Sequence, residues 1–500
     1  MQKNIILIIL YNMTQSKRIG GKAIAEGTYG CVFKPQLICD DKNIRQDGIV
    51  SKLGLKNDME DEMKLITQFS TILATIPNNK NYFITANTSI CNPKKLDPLI
   101  DLNDFDNKCA ILNKKGIKKQ NINNPNILNT LKIINIPDGG VDLLYFIKKN
   151  RLTKASFNKI NNSLIDLLNN GITPMNKKNI LHLDLKMENI LIDTQYKIRI
   201  IDWGLSSIIN QGKIPEIYSN SWSFQYNCLP SAIILGQKFE LFLKKMLNYI
   251  YYSKLIDNKY IQQSDILTRH NIEIILNKYI LDIINARGSS KTHYEYFITI
   301  FSKIKDENEI SIKKFVLDYL TNIVMKYISI DNSKDNISNK NSIIYAINYN
   351  NKNNNINTLD TSHYKDDINY IFNSNLYFNE VFRYNVDIWG FLICYLNLLV
   401  LNDLFLKNDD NTRKFESKLQ EILKKYMLND AYSINKINIP ELTNDLKLLS
   451  FKEFKSAIPI RGGYSINNKS NNKYKKNTRK SRRKSTRKHT QKIYIKKIYK

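Results

Sequence analysis

Cysteine, histidine and long apolar runs are scarce in this 500-residue chain, and each shortage argues against a class of site or structure. The six cysteines are scattered without a C-x-x-C pair, which argues against zinc and against a disulfide framework, and favours a reducing compartment. The five histidines are not clustered, so the sequence indicates no transition-metal centre. An apolar run at residues 5–10 is too short to span a membrane, so we expect an intracellular protein without a membrane partner.

Acidic residues are also in the minority. The chain has 46 Asp and Glu against 75 Lys and Arg, which gives a formal net charge of +29. Residues 461–500 contain sixteen Lys and Arg and no acidic residue, so they carry +16 of that charge. This composition predicts a disordered basic tail that binds nucleic acid or another polyanion.

Three polar side chains at fixed offsets carry the functional argument. Residues 182–189 read H-L-D-L-K-M-E-N and present Asp184, Lys186 and Asn189 in that order. Phosphoryl transfer needs a group that orients and deprotonates the attacking hydroxyl, a cation for the migrating charge and oxygen ligands for magnesium. The three residues supply these functions, so the spacing predicts a phosphoryl-transfer site.

A second carboxylate follows in a position to join this site. The β-branched runs at 190–192 and 198–201 flank a polar turn at 193–196, which predicts a β-hairpin. Such a hairpin returns the chain to its starting point and would bring Asp202 beside Asn189. Asp202 would then supply a hard oxygen ligand of the kind that magnesium prefers.

These motifs resemble those of the eukaryotic-type serine/threonine protein kinases, whose catalytic loop reads H-R-D-L-K-x-x-N and is followed by D-F-G. Leu183 stands in the place of the Arg and Trp203 in the place of the Phe. The resemblance implies an α+β, two-lobed protein-kinase-like fold with a small β-rich N-lobe and a larger helical C-lobe. It implies ATP and Mg²⁺ as cofactors, Asp184 and Lys186 as catalytic residues, and Asn189 and Asp202 as metal ligands.

The resemblance extends upstream to a nucleotide-binding lobe. Residues 25–32 are similar to the glycine-rich loop of kinases, with Ala25 in the place of the first glycine. The predicted ATP-binding residues are Ala25, Glu26, Gly27, Thr28, Tyr29, Gly30, Cys31, Val32, Lys52 and Glu62. Lys52, on a predicted strand at 49–53, would bind phosphates, and Glu62, on a predicted helix at 58–73, would pair with it; Glu60 is the alternative. Residues 131–140 resemble the kinase hinge, which binds adenine through its backbone.

We expect three parts along the chain. Residues 1–19 form an N-terminal extension, 20–460 a catalytic domain and 461–500 the tail. Within the domain, the N-lobe covers about 20–137 and the C-lobe about 138–235 and 376–460. An insertion at 236–375 is helical to about 330 and then Asn-rich and disordered at 331–375. Asp387 and Trp389 resemble the opening of the buried C-lobe helix, where the Asp accepts backbone N–H groups of the catalytic loop.

The wider pattern, over about 20–235 and 376–400, is similar to the serine/threonine kinases of large double-stranded DNA viruses, which would locate the protein in the host cytoplasm or the virion. The predicted function is ATP-dependent phosphorylation of Ser and Thr hydroxyls in protein substrates. One alternative is a small-molecule phosphotransferase of the aminoglycoside or choline type, which shares the I-I-D-W run at 200–203. Another is a catalytically inactive scaffold that binds nucleic acid through its tail.

Overall fold

The structure is a computed structural model of the chain. It describes residues 22–27, 30–150, 152–219, 223–257, 263–286, 288–330, 370–401 and 409–451. The predictions for the extension at 1–19, for most of the loop at 331–375 and for the tail at 461–500 lie outside these residues, as do Thr28 and Tyr29. The described residues form the predicted two-lobed α+β fold, with a sheet-rich N-terminal lobe and a larger helical C-terminal lobe.

An antiparallel sheet forms the N-terminal lobe. Its strands are β1 (Lys22–Glu26), β2 (Gly30–Lys34), β3 (Ile49–Leu55), β4 (Ser89–Cys91) and β5 (Leu131–Pro137). Their spatial order is β1-β2-β3-β5-β4. The predicted strand at 49–53 is confirmed as β3, and Lys52 lies in the middle of the sheet, opposite Val32 on one side and Ile134 on the other.

One long helix, α1 (Lys56–Leu73), packs against this sheet, which confirms the helix predicted at 58–73. Met59, Ile66, Phe69 and Leu73 are its buried residues, and their spacing places them on one face. The helix starts one residue after β3 ends, so the carboxylates of its first two turns stay close to the strand that carries Lys52.

An insertion between β4 and β5 completes the lobe. It contains three short helices, α2 (Phe105–Lys108), α3 (Ala110–Lys114) and α4 (Pro125–Leu128). Phe105 and Leu112 share an apolar core with Cys31, Phe33 and Leu53 of the sheet. This core buries the insertion against β2 and β3, so the segment is an integral layer of the lobe.

Two disulfide bonds cross-link the N-terminal lobe, Cys31 to Cys109 and Cys39 to Cys91. The argument from cysteine spacing against disulfides is therefore wrong. The paired residues are 78 and 52 positions apart in sequence, yet their Cα atoms lie 5.5 and 5.8 Å apart, within the range that a disulfide spans. The prediction of a reducing compartment rested on the same spacing and loses that support.

Helices make up most of the C-terminal lobe. They are α5 (Leu143–Lys149), α6 (Lys154–Asp166), α7 (Thr173–Lys177), α8 (Glu216–Ser219), α9 (Gln237–Asp257), α10 (Arg269–Ala286), α11 (Gly288–Phe301), α12 (Glu309–Tyr327), α13 (Ser374–Tyr377), α14 (Arg383–Val400), α15 (Asp410–Met427) and α16 (Ile439–Lys447). In α14 every residue from 385 to 398 is buried, so this helix is the centre of the lobe.

Short strands connect these helices. They are β6 (Val141–Asp142), β7 (Ile180–Leu181), β8 (Ile190–Ile192), β9 (Ile198–Ile200), β10 (Ser207–Ile208), β11 (Ile328–Ile330) and β12 (Tyr370–Phe372). β8 pairs with β9 in antiparallel register, which confirms the predicted hairpin. β12 pairs with β11, so residues 370–372 are ordered where the sequence predicts the end of a disordered loop.

The region predicted as a helical insertion contains α9 to α12. Its aromatic side chains reach the centre of the lobe, where Phe297 and Phe301 of α11 stack on Trp389 of α14 at ring-centroid distances of 6.3 and 5.7 Å. In the part of the chain that the structure describes, no helix combines the length and the apolar character needed to cross a membrane.

Candidate active site

A buried carboxylate holds the loop that follows β7. Asp387 of α14 is 1% exposed and accepts hydrogen bonds from the backbone N–H groups of His182 and Leu183, both at 2.9 Å, and from Asn176 Nδ2 at 2.8 Å. Burial raises the pKa of Asp387, against smaller opposing effects of His182 and these hydrogen bonds. Leu183 has a left-handed backbone with φ of 65°, a costly conformation for a branched residue. The anchor therefore fixes the loop just before Asp184.

Asp184 has donors on both carboxylate oxygens. Asn189 Nδ2 lies 2.8 Å from Oδ2 and also 2.8 Å from the Asp184 carbonyl oxygen. Lys186 Nζ lies 3.0 Å from Oδ1 and 2.9 Å from Oδ2. Asn227 Nδ2 lies 2.8 Å from Oδ1 and 3.4 Å from the carbonyl oxygen of Leu185. The carboxylate plane is therefore fixed by two amides and one ammonium group.

Burial and charge act in opposite directions on the cation of this cluster. Burial lowers the pKa of Lys186, but the adjacent Asp184, with contributions from Glu188 and Asp202, more than compensates and raises it above its usual value. Lys186 is therefore charged at neutral pH. Burial raises the pKa of Glu188, whose Oε2 atom is buried and finds no hydrogen-bond partner among the residues that the structure describes.

The β8–β9 hairpin returns the chain to this loop. After β9, the Ile201 N–H donates to the carbonyl oxygen of Asn189 at 3.0 Å, and the Ile201 carbonyl oxygen lies 3.0 Å from His182 Nε2. Asp202 follows with a left-handed φ of 64° and an exposed side chain. Its charge acts on Lys186, so Asp202 lies in the same electrostatic environment as Asp184.

Trp203 connects this loop to the N-terminal lobe. Its ring is 4% exposed and lies 5.3 Å from Phe69 of α1, 5.9 Å from Phe83 and 5.1 Å from His182, between ring centroids. Such tilted aromatic contacts each add about 0.5–1.5 kcal/mol beyond the area that they bury. Because Trp203 directly follows Asp202, this packing joins α1 to the loop that carries Asp202.

On the N-terminal side, Lys52 pairs with Glu62. Lys52 Nζ lies 2.6 Å from both carboxylate oxygens of Glu62, and the two side chains are 12% and 15% exposed. The structure thus pairs Lys52 with Glu62 and not with the alternative, Glu60. A Cβ atom built on Gly27 would lie 3.8 Å from Lys52 Nζ, so the turn after β1 approaches this cation closely. Gly30 has no room for a side chain, because a Cβ atom there would collide with the carbonyl oxygen of Leu53.

The other described residues of the predicted nucleotide loop occupy different environments. Ala25 pairs with Val32 across β1 and β2, and both are partly buried. Glu26 accepts a hydrogen bond from the Ala110 N–H at 3.2 Å. Cys31 differs from the prediction: its side chain is fully buried in a disulfide, on the opposite strand face from Val32, so only its backbone is left for a nucleotide contact.

The segment predicted as a hinge, residues 131–140, contains β5 and the bend that leads to β6. The Asp138 N–H donates to the Gly48 carbonyl oxygen at 2.8 Å, and Asp138 Oδ1 accepts from the Gly140 N–H at 3.0 Å. Gly140 has φ of +102°, and a Cβ atom there would collide with the Ile192 carbonyl oxygen. The bend therefore requires glycine at 140 and is braced on both the β3 and the β8 sides.

Two features of the site were not predicted from the sequence. Asn227, which holds Asp184, is 43 positions from it, and no local motif marks an amide as a carboxylate ligand. Helix α11 places His293 and Tyr296 against Tyr226, at ring-centroid distances of 5.7 and 4.8 Å. The available signal was the aromatic-rich stretch at 221–230, whose position predicts the substrate-positioning end of the segment that follows Asp202. That signal does not identify the residues that pack against the stretch.

The donor set fits a magnesium-bound nucleotide. Asn189 directs its amide nitrogen at Asp184, so its Oδ1 points away from that carboxylate, and Asp202 adds an exposed carboxylate. Amide and carboxylate oxygens are the hard ligands that Mg²⁺ uses alongside phosphate oxygens and water. Lys52 supplies a cation under the glycine turn, where phosphates would need one.

Comparison with known proteins points in the same direction. A family model described as protein kinase domain matches residues 120–227, which include Asp184, Lys186, Asn189, Asp202 and Asn227. Serine/threonine protein kinase OSK3 of Oryza sativa subsp. indica is 31% identical over 68 residues, 14% of this chain and 13% of that protein. The probable serine/threonine-protein kinase drkB of Dictyostelium discoideum is 38% identical over 74 residues, 14% of this chain and 10% of that protein.

A third relative, CBL-interacting serine/threonine-protein kinase 8 of Arabidopsis thaliana, is 36% identical over 66 residues, 13% of this chain and 14% of that protein. The chain thus spans about one-eighth of the length of these curated relatives. The matches support the two-lobed kinase-like fold and a likeness to eukaryotic-type serine/threonine kinases. The likeness to viral kinases and the intracellular location stay predictions.

Proposed function

We propose that this chain is a serine/threonine protein kinase that transfers the γ-phosphate of ATP to Ser or Thr hydroxyls of protein substrates. The observation that carries the proposal is the arrangement around Asp184. Its carboxylate is fixed on both oxygens by Lys186, Asn189 and Asn227, on a loop anchored to the buried Asp387. A fixed carboxylate beside a cation and oxygen ligands is what phosphoryl transfer requires, because positioning and electrostatics supply most of its rate.

Each residue has one role in this proposal. Asp184 accepts the proton of the acceptor hydroxyl and orients it, and Lys186 balances the charge that the transferred group carries. Lys52, oriented by Glu62, holds phosphates on the N-terminal side. Asn189 and Asp202 are the proposed magnesium ligands. Mg²⁺-ATP, when bound, supplies the phosphoryl group and offsets its negative charge. Ala25, Glu26, Gly27, Gly30, Val32 and the backbone of Cys31 line the proposed nucleotide side.

Serine and threonine are the proposed acceptors because of Lys186. Tyrosine kinases usually differ at the second position after the base, and the named relatives are all described as serine/threonine kinases. The substrates of those relatives are not transferred to this chain, since the matched segments are short.

A small-molecule phosphotransferase is the second candidate, because the Ile200-Ile201-Asp202-Trp203 run is shared with that class. Lys186 and the Asp387 anchor favour the protein kinase instead. The experiment is Mg²⁺-ATP turnover by the full chain, measured with a generic basic protein, with aminoglycosides and choline, and with no acceptor. Phosphate on Ser or Thr of the protein supports the proposal. Turnover with the small acceptors alone supports the second candidate, and no turnover with any of them supports an inactive scaffold.

A nucleic acid or other polyanion is the proposed partner of residues 461–500. The seven residues Arg479, Lys480, Arg482, Arg483, Lys484, Arg487 and Lys488 form its densest cationic stretch. Binding should weaken with salt, with a log–log slope near −0.9 for each duplex DNA phosphate that the tail neutralises. Replacing the seven residues with Gln in the full chain should flatten that slope and leave kinase turnover on a short peptide unchanged. An unaltered salt slope would assign polyanion binding to another part of the chain.

A further inference from the structure

Helix α11 of the inserted region lies directly against residues 224–227, here called the acceptor segment. Phe224 is 1% exposed, and its ring meets the rings of Tyr294 and Phe297 edge-on at 5.1 and 5.4 Å between centroids. Tyr226 stacks on His293 at 5.7 Å and 16° and meets Tyr296 edge-on at 4.8 Å. Both aromatic residues of the acceptor segment therefore pack on one helix that does not belong to the segment.

The other contacts of α11 lead to the anchor helix of the catalytic loop. Phe297 and Phe301 stack on Trp389 of α14, and Trp389 Nε1 points at the Tyr226 carbonyl oxygen at 3.5 Å. Trp389 is two residues from Asp387, the carboxylate that holds His182 and Leu183. One buried helix, α14, thus contacts both the catalytic loop and α11.

The acceptor segment in turn ends on the proposed base. Asn227 donates to Asp184 Oδ1 at 2.8 Å and to the Leu185 carbonyl oxygen at 3.4 Å. A Cβ atom on Gly390 would lie 2.7 Å from the Leu185 carbonyl oxygen and 3.2 Å from that of Asn227. The catalytic loop, the acceptor segment and α14 therefore meet with no space between them. A displacement of the segment would move the amide that fixes Asp184.

The protonation states of its side chains allow α11 to pack beside the charged pair of Asp184 and Lys186. His293 lies in the field of Lys186 and Asp184, and burial, followed by the positive charge of Lys186, lowers its pKa. The imidazole is therefore neutral at physiological pH and stacks on Tyr226 without adding a second cation next to Lys186. Tyr226 and Tyr296 feel the charge of Glu188, and burial is the main reason that their pKa values are raised, so both keep their protons.

A phosphate cannot order this segment through the residue before the base. That residue is Leu183, which is 2% exposed and carries no charge, whereas ordering by phosphorylation needs a cation that pairs with the new phosphate. The aromatic contacts of α11 are a source of order that needs no modification.

We infer that α11 is a built-in support that holds the acceptor segment and, through Asn227, positions Asp184, so that catalysis needs no phosphate on the segment. The inference rests on the proposed function. Tyr294, Tyr296 and Phe297 are positioning residues in it, because they act on the base through residues 224–227 and do not touch the reacting atoms.

The test compares the full-length wild type with Phe297→Leu and with a matched control, Phe239→Leu. Phe239 is also fully buried in the inserted region, but its ring contacts Tyr279 and Phe372. Phe297→Leu should lower kcat on a peptide acceptor at least tenfold, because a displacement of reacting groups by about 1 Å costs on the order of 10²-fold in rate. The KM for ATP should stay within about twofold of the wild-type value. Phe239→Leu should lower the Tm similarly and keep kcat within about twofold.

A double-mutant cycle distinguishes an effect on the position of Asp184 from a general loss of stability. If α11 acts through Asn227, then Phe297→Leu should lower kcat little further in an Asn227→Ala background, whereas independent effects would multiply. Tyr296→Phe, which keeps the ring, should retain the kcat that Tyr296→Ala loses. Multiplying effects, or an unchanged kcat in Phe297→Leu, would overturn the inference.

Phosphatase treatment supplies the remaining arm. The treated wild type should keep its kcat within about twofold, because Leu183, the residue before Asp184, has no guanidinium group to bind a phosphate. A collapse that is restored by phosphorylation within residues 205–230 would overturn the inference while leaving the kinase assignment intact. A wild type inactive on every protein acceptor would instead refute the proposed function, so the two failures are distinct.

Discussion

Replacing Asp184 with Asn tests the centre of the proposed site, because the substitution keeps the shape of the side chain and changes only its chemistry. Both carboxylate oxygens of Asp184 accept: Oδ1 from Asn227 and Oδ2 from Asn189, each at 2.8 Å, with Lys186 Nζ within 3.0 Å of both. An amide has one oxygen and one NH₂ group. Whichever way it turns, its NH₂ group faces a donor that previously had an acceptor.

The structure sets the size of both expected effects. One buried donor left unsatisfied costs about 1–3 kcal/mol of folding free energy. Loss of a general base lowers the rate by about 10²–10⁴-fold, which corresponds to about 2.7–5.4 kcal/mol of activation free energy. Nucleotide affinity should stay within about threefold, because Lys52 and Glu62 pair in the other lobe and do not contact Asp184.

The assay measures kcat on a peptide acceptor, the Kd of Mg²⁺-ATP by calorimetry and the Tm of each variant. Asp166→Asn is the matched control, since Asp166 also accepts two hydrogen bonds, from Tyr82 and Asn170, but is exposed and lies outside the site. The control should keep its kcat. Phosphate transfer by Asp184→Asn at the wild-type rate would refute the assignment of Asp184 as the base.

Three further outcomes follow from the same geometry. Asp202→Asn should weaken Mg²⁺-ATP binding at least tenfold as well as lower kcat, which titration of Mg²⁺ at fixed ATP would detect. Glu62→Gln should raise the KM for ATP about tenfold, because Lys52 loses the ionised partner that orients it at 2.6 Å; an unchanged KM would show that the pair is only structural. Burial raises the pKa of Glu188, so the folded state favours the protonated form of this side chain. The stability that the protonated form contributes is fully present below about pH 4.5 and is lost as the pH rises through the folded-state pKa. Glu188→Gln should therefore have a higher Tm than the wild type at pH 7.5 and an equal Tm at pH 4, and an equal difference at both values would contradict this.

Residues close together in the chain made the centre of the site predictable. Asp184, Lys186 and Asn189 lie within six positions, and the β8–β9 hairpin joins them to Asp202 by a tight turn, so local geometry alone brings the four residues together. Lys52 and Glu62 are likewise separated by one strand end and the first two turns of α1. In each case a short stretch of chain, one hairpin or one strand-to-helix junction, sets the distance.

Long-range packing accounts for what the sequence did not reveal. Asn227 reaches Asp184 only because α11 and α14 fix the acceptor segment, and no pattern within residues 224–227 specifies those helices. Cys109 lies in the layer that residues 92–130 add to the N-terminal lobe, and Cys91 ends β4 just before that layer. The fold of the lobe thus brings cysteines more than 50 positions apart to within 6 Å between Cα atoms. Spacing rules describe neighbours in sequence and carry no information on such contacts.

The two departures from the kinase motifs fit one another once these contacts are considered. Trp203 reaches Phe69, which lies two helical turns after Glu62 on the same face of α1, so the ring that follows Asp202 also helps to hold the partner of Lys52. The indole Nε1 finds no acceptor among the described residues, a cost of about 1–3 kcal/mol that the wider aromatic contact must offset. With Leu183 in the place of the Arg, no guanidinium group is present there to bind a phosphate. The contacts of α11 support the acceptor segment instead. Relative to the kinase motifs, Leu183 replaces a charged side chain and Trp203 replaces a smaller ring, and both add apolar packing. Both departures therefore favour a site that the surrounding apolar core holds in one arrangement.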